Sequence, residues 1–378
     1  MYNPMIHPCS IYCILPPRML ENIVLNADDS TLKGMTGRNV NTSRLLKAAM
    51  FTSSVSHSFH NARVANIEGA RHTLERQRLR RLGRRRRATI GEEQRNIFTA
   101  NNKQKLPGEL VRSEGQAATG DPAVDEAYDG LGDTYDLYLK EFGRNSIDDK
   151  GLVLNATVHF GKDYDNAYWD GHRMIFGDGD GTLFNRFTIS VDITGHELTH
   201  GVTQYEANLI YWAQSGALNE SISDVFGSLV KQRKKNQKAD EADWLIGAGL
   251  LAEGVDGVAL RSMKAPGTAY DDPVLGKDDQ PGDMSGYVST FQDNGGVHTN
   301  SGIPNHAFYL AATNIGGYAW EAPGRIWYET LCSPMLKSRA QFKDFARLTL
   351  RIAGGLYGMN STEQSAVRDA WNQVGVRV

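Results

Sequence analysis

The chain has 378 residues, of which 40% are hydrophobic and 22% are charged, a composition typical of a globular protein with two or three structural units. It contains no run of about 18 apolar residues, so the sequence predicts no membrane-spanning helix. The three cysteines, Cys9, Cys13 and Cys332, are too few for a disulfide framework, and we expect stability to come from core packing.

Charge is distributed unevenly along the chain, although the net charge is only −3. Residues 1–90 hold 15 Lys and Arg against 5 Asp and Glu, a net charge of +10, and the remainder carries −13. This favours a basic front that docks on an acidic body, with a nucleic-acid tail as the alternative. The start lacks a basic region and is broken by prolines, so no ordinary signal peptide is predicted. We expect cytoplasmic synthesis and leave export by a non-standard route open.

The front of the chain predicts little regular structure. Pro16 and Pro17 favour an extended segment, and one or two helical turns follow from Met19. Residues 62–82 predict a basic helix. The four arginines at 84–87 are typical of a solvated linker, and a proteolytic processing site is the main alternative. A nucleic-acid patch is the least favoured interpretation, because no aromatic side chains interleave for base stacking.

The body mixes helices and strands. Asp121 and Pro122 predict the start of a helix that runs to Phe142. Alternating apolar residues predict strands at 152–160 and 174–176. Four further helices are predicted near the end, at 304–314, 322–336, 341–356 and 361–374.

Three other segments of the body are predicted to be irregular. Residues 177–181 form a turn, and Asp178 and Asp180 favour that structural role over a calcium site. Residues 229–244 are charged and are expected to be largely solvated. Residues 265–295 are predicted to be a long loop at a functional edge.

The strongest chemical signal lies between residues 192 and 224. His196 and His200 are four residues apart, so on a helix both imidazoles can meet one metal ion, with Glu197 beside them. Such a pentapeptide also occurs by chance on ordinary helices. Twenty residues on, Glu220 can complete the three protein ligands of a catalytic zinc. Asp224 lies one helical turn further, where it can bind the other ring nitrogen of a zinc-bound histidine.

These residues suit peptide hydrolysis. Zinc would lower the pKa of a bound water and polarise the carbonyl, and Glu197 is placed to accept the proton and pass it to the leaving amine. His298 follows Asp293 in a glycine-rich turn and is predicted to donate to the developing oxyanion. A structural surface histidine is the alternative for His298.

From about residue 106 to the end, the chain resembles the thermolysin-like zinc metallopeptidases. The matching blocks follow the order and spacing of that family: NAYWDG (166–171), GDGDG (177–181), HELTH (196–200), GALNESISDVFG (216–227), LRSM (260–263) and DNGGVHTNSGI (293–303). The resemblance implies an α+β fold of two lobes. The expected boundaries are a mixed, β-rich amino-terminal lobe at 91–206 and a helical lobe at 207–378, with the zinc-binding helix at the floor of the cleft.

The resemblance also implies roles for individual residues. It implies zinc ligands and a general base at His196, His200, Glu220 and Glu197. It implies an oxyanion-stabilising pair with orienting carboxylates at Tyr211, His298, Asp224 and Asp293. It implies groups that hold the substrate backbone at Asn166, Ala167 and Arg261. It implies a specificity pocket lined by Phe184, Phe187, Ile193, Leu250 and Leu260. The implied activity is a neutral endopeptidase that cleaves on the amino side of bulky apolar residues.

The front resembles the short propeptide of the protealysin-like subgroup, with a Pro-Pro element in CILPPRML (13–20) and a basic segment at 70–82. The resemblance implies that residues 1–90 form a propeptide that occupies the cleft and is later removed. Cys13, Pro16 and Pro17 are the residues expected to inhibit. Cys13 is either a zinc ligand in the zymogen or a plain buried residue, and the second interpretation is favoured.

One departure concerns calcium. Lys231 stands where the family has a glutamate shared by two calcium ions, and Leu245 and Ala248 replace two other acids. An ammonium group can supply the charge of a cation between carboxylates. We therefore predict no double-calcium cluster, with Lys231 in a salt bridge to Asp192 or Asp243, and leave other calcium sites open.

The sequence thus predicts a zinc endopeptidase zymogen with one catalytic zinc. Its expected partners are peptide and protein substrates and its own propeptide in cis, without nucleic acid or a membrane span, and a monomer is expected. The alternative is an inactive binding protein that retains the fold. Loss of a zinc ligand would favour that alternative, and none is lost.

Overall fold

The structure of the protein is a computed structural model, which describes residues 12–27, 91 and 93–378. The predicted basic helix at 62–82, the arginine run at 84–87 and Cys9 lie outside the described residues, as does most of the predicted propeptide.

A six-stranded mixed sheet forms the amino-terminal lobe. Its strands are β1 (Tyr12–Cys13), β2 (Arg95–Thr99), β3 (Glu109–Ser113), β4 (Leu154–Val158), β5 (Ala167–Trp169) and β6 (Met174–Phe176). Their spatial order is β1-β5-β6-β4-β2-β3. The neighbours β2, β4 and β6 run parallel, and the other pairs are antiparallel. The strands predicted at 152–160 and 174–176 are confirmed. The edge strand β1 comes from residues 12–27, so this described part of the front docks on the body.

Helices cover the sheet and build the second lobe. They are α1 (Pro17–Asn26), α2 (Pro122–Asp136), α3 (Val191–Tyr205), α4 (Ala213–Lys235), α5 (Asp293–Asn300), α6 (Gly302–Ile315), α7 (Ala322–Leu331), α8 (Phe342–Tyr357) and α9 (Thr362–Gln373). The Asp121 carboxylate caps α2 by accepting from the backbone amide of Ala123 at 2.9 Å. A π-helical segment, Leu137–Glu141, continues α2, so the predicted end near Phe142 is confirmed.

The segment predicted to be a long loop, 265–295, contains regular structure. Two short antiparallel pairs lie in or near it, β7 (Leu245–Ile246) with β8 (Arg261–Ser262) and β9 (Asp271–Asp272) with β10 (Gly276–Lys277). A 3₁₀ turn, Met284–Gly286, follows. None of the helices in the described part of the chain is long and apolar enough to cross a membrane.

Two glycines let α3 and α4 cross in close contact. A Cβ atom on Gly227 of α4 would lie 2.4 Å from the backbone oxygen of Asp192 on α3, and one on Gly195 would lie 3.0 Å from the Cα of Gly227. Real Cβ atoms essentially never come as close as 2.4 Å and seldom as close as 3.0 Å, so a larger residue at 227 would push the helices apart. The crossing brings one face of each helix together in the interior.

The end of α4 carries a buried charge. The Lys231 ammonium lies 3.0 Å from Asp192 and 2.8 Å from Asp243, and it also donates to the backbone oxygen of Leu245. Burial favours the neutral amine, but the two carboxylates outweigh it and raise the pKa of Lys231. The predicted salt bridge is therefore present to both acids. The expectation that 229–244 is largely solvated is wrong for residues 229–232, which are buried because this pairing allows the lysine inside.

Replacing Lys231 with methionine preserves the apolar stem but leaves Asp192, fully buried, without a counter-charge. We expect the free energy of unfolding to fall by about 3–5 kcal/mol. Urea denaturation of the zinc-loaded protein measures the change.

The matched control is Lys140→Met, because Lys140 pairs with Asp136 at 2.6 Å while 55% of its side chain is exposed. An exposed pair contributes little, so this variant should stay within about 0.5 kcal/mol of the unchanged protein. Equal losses in the two variants would contradict the role given to Lys231.

Candidate metal centre

Three buried side chains converge at the crossing of α3 and α4. The donor atoms of His196, His200 and Glu220 all lie within 4.8 Å of one another, and no other such group of His, Cys, Asp and Glu occurs among residues 12–27, 91 and 93–378. The two histidine Nε2 atoms are 3.0 Å apart. Each lies 3.5 Å from a different carboxylate oxygen of Glu220. The spacing of four residues on α3 therefore points both rings at one position.

The outer nitrogens of the two rings are held by α4. His196 Nδ1 lies 2.8 Å from Asp224 Oδ1, and His200 Nδ1 lies 2.8 Å from Asn219 Oδ1. Such partners fix the tautomer and the orientation of a metal-binding imidazole. Asp224 was predicted from the sequence in this role, but Asn219 was not. The feature that could have identified Asn219 is its polar amide on a buried helix face, one residue before the predicted ligand Glu220.

Asp224 connects this centre to the rest of the cleft. Its carboxylate accepts from Arg261 Nη2 at 2.8 Å and Nε at 2.9 Å, and from Asn305 Nδ2 at 2.8 Å. Burial alone would raise the pKa of Asp224, but the Arg261 guanidinium and His196 hold it below the usual range. Asn305, in α6, was also missed by the sequence analysis. An asparagine on a helix face whose other residues are apolar is the signal that could have found it.

The donor set suits a divalent cation. Burial lowers the pKa of His200 to about 3, which keeps the ring in the neutral form that binds metals. Burial would raise the pKa of Glu220, but nearby positive charge, that of His298 first, outweighs it and lowers that pKa. Glu220 Oε2 is buried without a hydrogen-bond partner among the described residues. Two imidazoles and one carboxylate that leave an open position are the ligands of a catalytic zinc, so these residues fit that ion.

Glu197 lies beside the donors without belonging to the group. Its Oε2 atom accepts from the backbone amide of Trp169 at 3.1 Å, while Oε1 is buried and has no hydrogen-bond partner in the described part of the chain. Burial, followed by the charge of Glu220, raises the pKa of Glu197 well above the usual value. A carboxyl group with raised pKa and a free oxygen can accept and return a proton.

Tyr211 and His298 lie on the other side of Glu220. The Tyr211 hydroxyl donates to a Glu220 carboxylate oxygen and lies 3.3 Å from His298 Nε2. His298 Nδ1 lies 2.6 Å from Asp293 Oδ1, as the sequence predicted. The positive φ angles of Asn294, Gly295 and Gly296 turn the chain there, so that Asp293 folds back on the histidine.

The front of the chain lies across this site. The amides of Ile14 and Leu15 donate to Ala167 O at 3.2 Å and to Asn166 Oδ1 at 3.4 Å. The carbonyl of Ile14 accepts from Arg261 Nη1 at 3.0 Å. These partners are the predicted substrate-backbone groups Asn166, Ala167 and Arg261, which the structure brings together on one short extended segment.

The carbonyl of Cys13 lies 3.0 Å from His298 Nε2, next to the converging donors. The Cys13 side chain itself packs in a small apolar cluster with Phe160, Tyr164 and Tyr168, and its sulfur is not one of the grouped donor atoms. Pro16 and Pro17 end the extended stretch and start α1. That Cys13 is a plain buried residue and not a zinc ligand remains a prediction.

The five residues predicted to line the specificity pocket are all buried. They are Phe184, Phe187, Ile193, Leu250 and Leu260. The rings of Phe184 and Phe187 have centroids 5.8 Å apart, and Leu260 packs beside Gly247. The Ile14 side chain, fully buried, belongs to the same apolar core. That these residues form a pocket for the substrate remains a prediction.

Comparison with known proteins identifies the family. Residues 73–204 match the profile described as "Thermolysin metallopeptidase, catalytic domain", and residues 207–376 match "Thermolysin metallopeptidase, alpha-helical domain". The chain belongs to the thermolysin metallopeptidase family. This enzyme is therefore a zinc-dependent neutral endopeptidase, and the fold predicted from the sequence is confirmed.

Individual relatives agree. The metallopeptidase is 58% identical over 288 residues to an "Extracellular metalloprotease" of Pectobacterium carotovorum subsp. carotovorum, with 76% of this chain and 82% of the relative aligned. It is 56% identical to "Protease PrtS" of Photorhabdus sp. (strain Az29), covering 75% and 76% of the two chains. The solved precursor of protealysin from Serratia proteamaculans matches with a TM-score of 0.82 and 49% identity over 97% of this chain and 99% of that one. The metallopeptidase is thus made with a propeptide.

We expect the metallopeptidase to bind one zinc ion per chain after dialysis against metal-free buffer. The variants His196→Ala and Glu220→Gln should retain less than about a tenth of that zinc, because each removes one of three protein ligands. Atomic emission measures the ratio. His172→Ala removes an exposed histidine and should keep the full ratio. Full zinc retention in His196→Ala would contradict the assigned centre.

Proposed function

We propose that this zinc endopeptidase cleaves peptide bonds on the amino side of bulky apolar residues, with Glu197 as general base. The observation that carries the proposal is the placement of Glu197 beside His196, His200 and Glu220, with an Oε1 atom that has no hydrogen-bond partner among the residues that the structure describes. We further propose that the lobes divide near residue 206, that the enzyme is monomeric and that it acts outside the cell. The last point rests on relatives that are described as extracellular.

When bound by His196, His200 and Glu220, a zinc ion would polarise the substrate carbonyl and lower the pKa of the attacking water. Glu197 accepts the proton of that water and returns it to the leaving amine. Asp293 orients His298, which donates from Nε2 to the oxyanion, and the Tyr211 hydroxyl is a second donor there.

The substrate backbone is held as residues 13–15 are held. When β1 is absent, β5 is the edge strand of the sheet. An extended substrate added there donates two successive backbone amides to Ala167 O and Asn166 Oδ1, and the carbonyl between those amides accepts from Arg261. If a substrate binds in the same way as residues 13–15, the Cys13 carbonyl marks the position of the reacting carbonyl. Ile14 then marks the position of the apolar side chain that follows the scissile bond. This supports both the apolar preference and the pocket assigned to the five buried residues.

Residues 12–27 then act as an inhibitory part of the propeptide, for which we retain the boundary near residue 90. Three contacts outside the cleft anchor α1. Arg18 pairs with Asp279 at 2.5 Å, Asn22 donates to the backbone oxygen of Leu275 at 2.9 Å, and the apolar face of α1 is buried. The strand contact and the helix contact together tether the segment, which raises its effective concentration at the cleft.

We also propose that Lys231 takes the place of calcium at the end of α4. Its ammonium lies between Asp192 and Asp243 and supplies the positive charge that two carboxylates at that position need. The acidic turn at 177–181 is used structurally. Asp178 pairs with His159 at 2.8 Å, and Asp180 accepts from the backbone amides of residues 182–184.

Glu197→Gln tests the mechanism. The amide has nearly the same shape but cannot accept the proton, so we expect casein hydrolysis to fall by about 10²–10⁴-fold while zinc remains bound. The same substitution at the exposed Glu109 should leave activity unchanged. A chelator should abolish hydrolysis in the unchanged enzyme. Full activity in Glu197→Gln would rule out the base, and activity that survives chelation would rule out the zinc.

Ile14→Asp tests the inhibitory segment. Burying a carboxylate in place of a fully buried isoleucine disfavours occupation of the cleft. We expect the unprocessed precursor with this change to hydrolyse a short fluorogenic peptide about tenfold faster or more. Mass spectrometry of the same sample reports the processed fraction. Leu25→Asp, on α1 with 73% of the residue exposed, is the matched control and should match the unchanged precursor. Equal rates in all three precursors would contradict cleft occupation.

A further inference from the structure

Helix α1 covers an apolar surface beside the active-site cleft. Three of its side chains, Met19, Leu20 and Ile23, are almost completely buried, while Leu25 on another face is exposed. The buried three belong to the same apolar cluster as Leu275, which lies in the turn between β9 and β10. Because α1 is amphipathic, burial of its apolar face drives its docking.

Two polar contacts fix the position of α1 on this surface. Asn22 donates from Nδ2 to the backbone oxygen of Leu275 at 2.9 Å, and Arg18 pairs with Asp279 at 2.5 Å. A Cβ atom on Gly276 would lie 2.4 Å from Asn22 Nδ2, so the missing side chain of residue 276 leaves room for the asparagine. We call Leu275, Gly276 and Asp279 the helix site.

The helix site is joined to the groups of the active site. Asp279 accepts from the hydroxyl of Thr299, the residue after His298, at 3.3 Å. The neighbouring Gln280 donates from Nε2 to the backbone oxygen of His298 at 2.7 Å. His298 in turn lies 3.0 Å from the carbonyl of Cys13. These contacts give the helix site a fixed position relative to the reacting carbonyl.

The chain passes directly from the cleft to the helix site. Residues 13–15 lie extended in the cleft, and α1 begins at Pro17. The amide of Met19 donates to the Pro16 carbonyl at 3.1 Å, so the helical path starts immediately after the extended segment. A chain that binds in the cleft as residues 13–15 do therefore reaches the helix site within a few residues of the scissile bond.

Processing uncovers the helix site. In the processed enzyme proposed above, residues 12–27 leave with the propeptide, and the apolar face of α1 and the Arg18 guanidinium leave together. The apolar surface next to Asp279 is then exposed. An exposed apolar surface with a polar rim marks a site of interaction. The part of the chain after residue 90 carries a net charge of −13, which favours a basic partner.

We propose that in the processed enzyme the helix site binds a helix of the substrate that begins at about the fourth residue after the scissile bond. The proposal rests on the proposed function, because it assumes that substrates bind in the cleft as residues 13–15 do. The occupant is an amphipathic helix with apolar side chains facing Leu275 and a basic side chain in its first turn facing Asp279, which is the chemistry of α1 itself.

Continuity with the cleft is the reason for choosing the substrate as the occupant. Residues 13–15 and α1 are one segment, and its two parts occupy the cleft and the helix site together. A substrate with an extended loop followed by such a helix is held at both places. The second contact is then intramolecular, so it raises the effective concentration of the scissile segment at the cleft.

The test uses the processed, zinc-loaded enzyme and quenched fluorescent peptides that share one scissile segment with leucine after the bond. One peptide ends there. A second continues through Pro-Pro-Arg into a designed helix with apolar residues at its third, fourth and seventh positions, as in α1. A third has glutamine at these three positions, which keeps the helix propensity. We expect kcat/KM to be about tenfold higher for the apolar helix than for the glutamine helix.

Asp279→Arg tests the basic side chain. The unchanged enzyme should prefer arginine over glutamate at the second helical position by about threefold, since a partly exposed ion pair contributes little. The variant should reverse this preference. Each preference is a ratio between peptides with the same scissile segment, so a general loss of activity cancels. Asp240→Arg makes the same change of charge at an exposed acid in the turn after α4, and it should keep the unchanged preference.

Equal kcat/KM for the apolar and glutamine helices would overturn the helix site, as would an unchanged arginine preference in Asp279→Arg. A gain seen with residues 17–26 themselves but not with an unrelated helix of the same pattern would assign the surface to the propeptide alone and would overturn the proposal too. Absence of hydrolysis of the short peptide, which does not reach the helix site, would instead refute the proposed function and the helix site with it.

Discussion

The close crossing of α3 and α4 is the constraint on which the site depends. Gly227 lies against the backbone of Asp192 at a distance that only a residue without a side chain permits. Because the helices approach so closely, His196 and His200 on one helix meet Glu220 on the other, and all three side chains are buried. The outer nitrogens of both rings are held from α4 as well, so a single helix pair supplies the donors and their supports.

The crossing also explains why so many charged groups are buried with partners. Asp224 accepts from His196, Arg261 and Asn305, and at the far end of α4 Lys231 lies between two carboxylates. A buried charge is tolerated only when it is paired and hydrogen-bonded. Through Asp224, the same guanidinium that binds the Ile14 carbonyl is joined to a metal-binding ring, so the groups that hold a peptide and those that hold the metal share one rigid network.

Sequence reasoning found the parts of this arrangement that local spacing determines. Two residues four apart on a helix must share a face, which gave His196 with His200 and Glu220 with Asp224. Lys231 in place of an acid predicted its own salt bridges. Sequence reasoning did not find Asn219 and Asn305, because an amide carries no charge that marks it as a hydrogen-bond partner. It also did not find the backbone amide of Trp169, which donates to Glu197, because every residue except proline has a backbone amide. The burial of residues 229–232 depends on tertiary pairing, which the local charge pattern does not show.

X-ray absorption of the zinc-loaded precursor is the most direct test of the claim that the metal is held at this crossing. We expect two imidazole nitrogens and light oxygen ligands, with all zinc–ligand distances about 2.0–2.2 Å. We expect the spectrum of a Cys13→Ser precursor to show the same protein ligands, so that any difference is confined to weakly bound ligands. A sulfur scatterer at about 2.3 Å that disappears in the Cys13→Ser protein, or a third imidazole, would contradict the assignment of His196, His200 and Glu220 as the protein ligands.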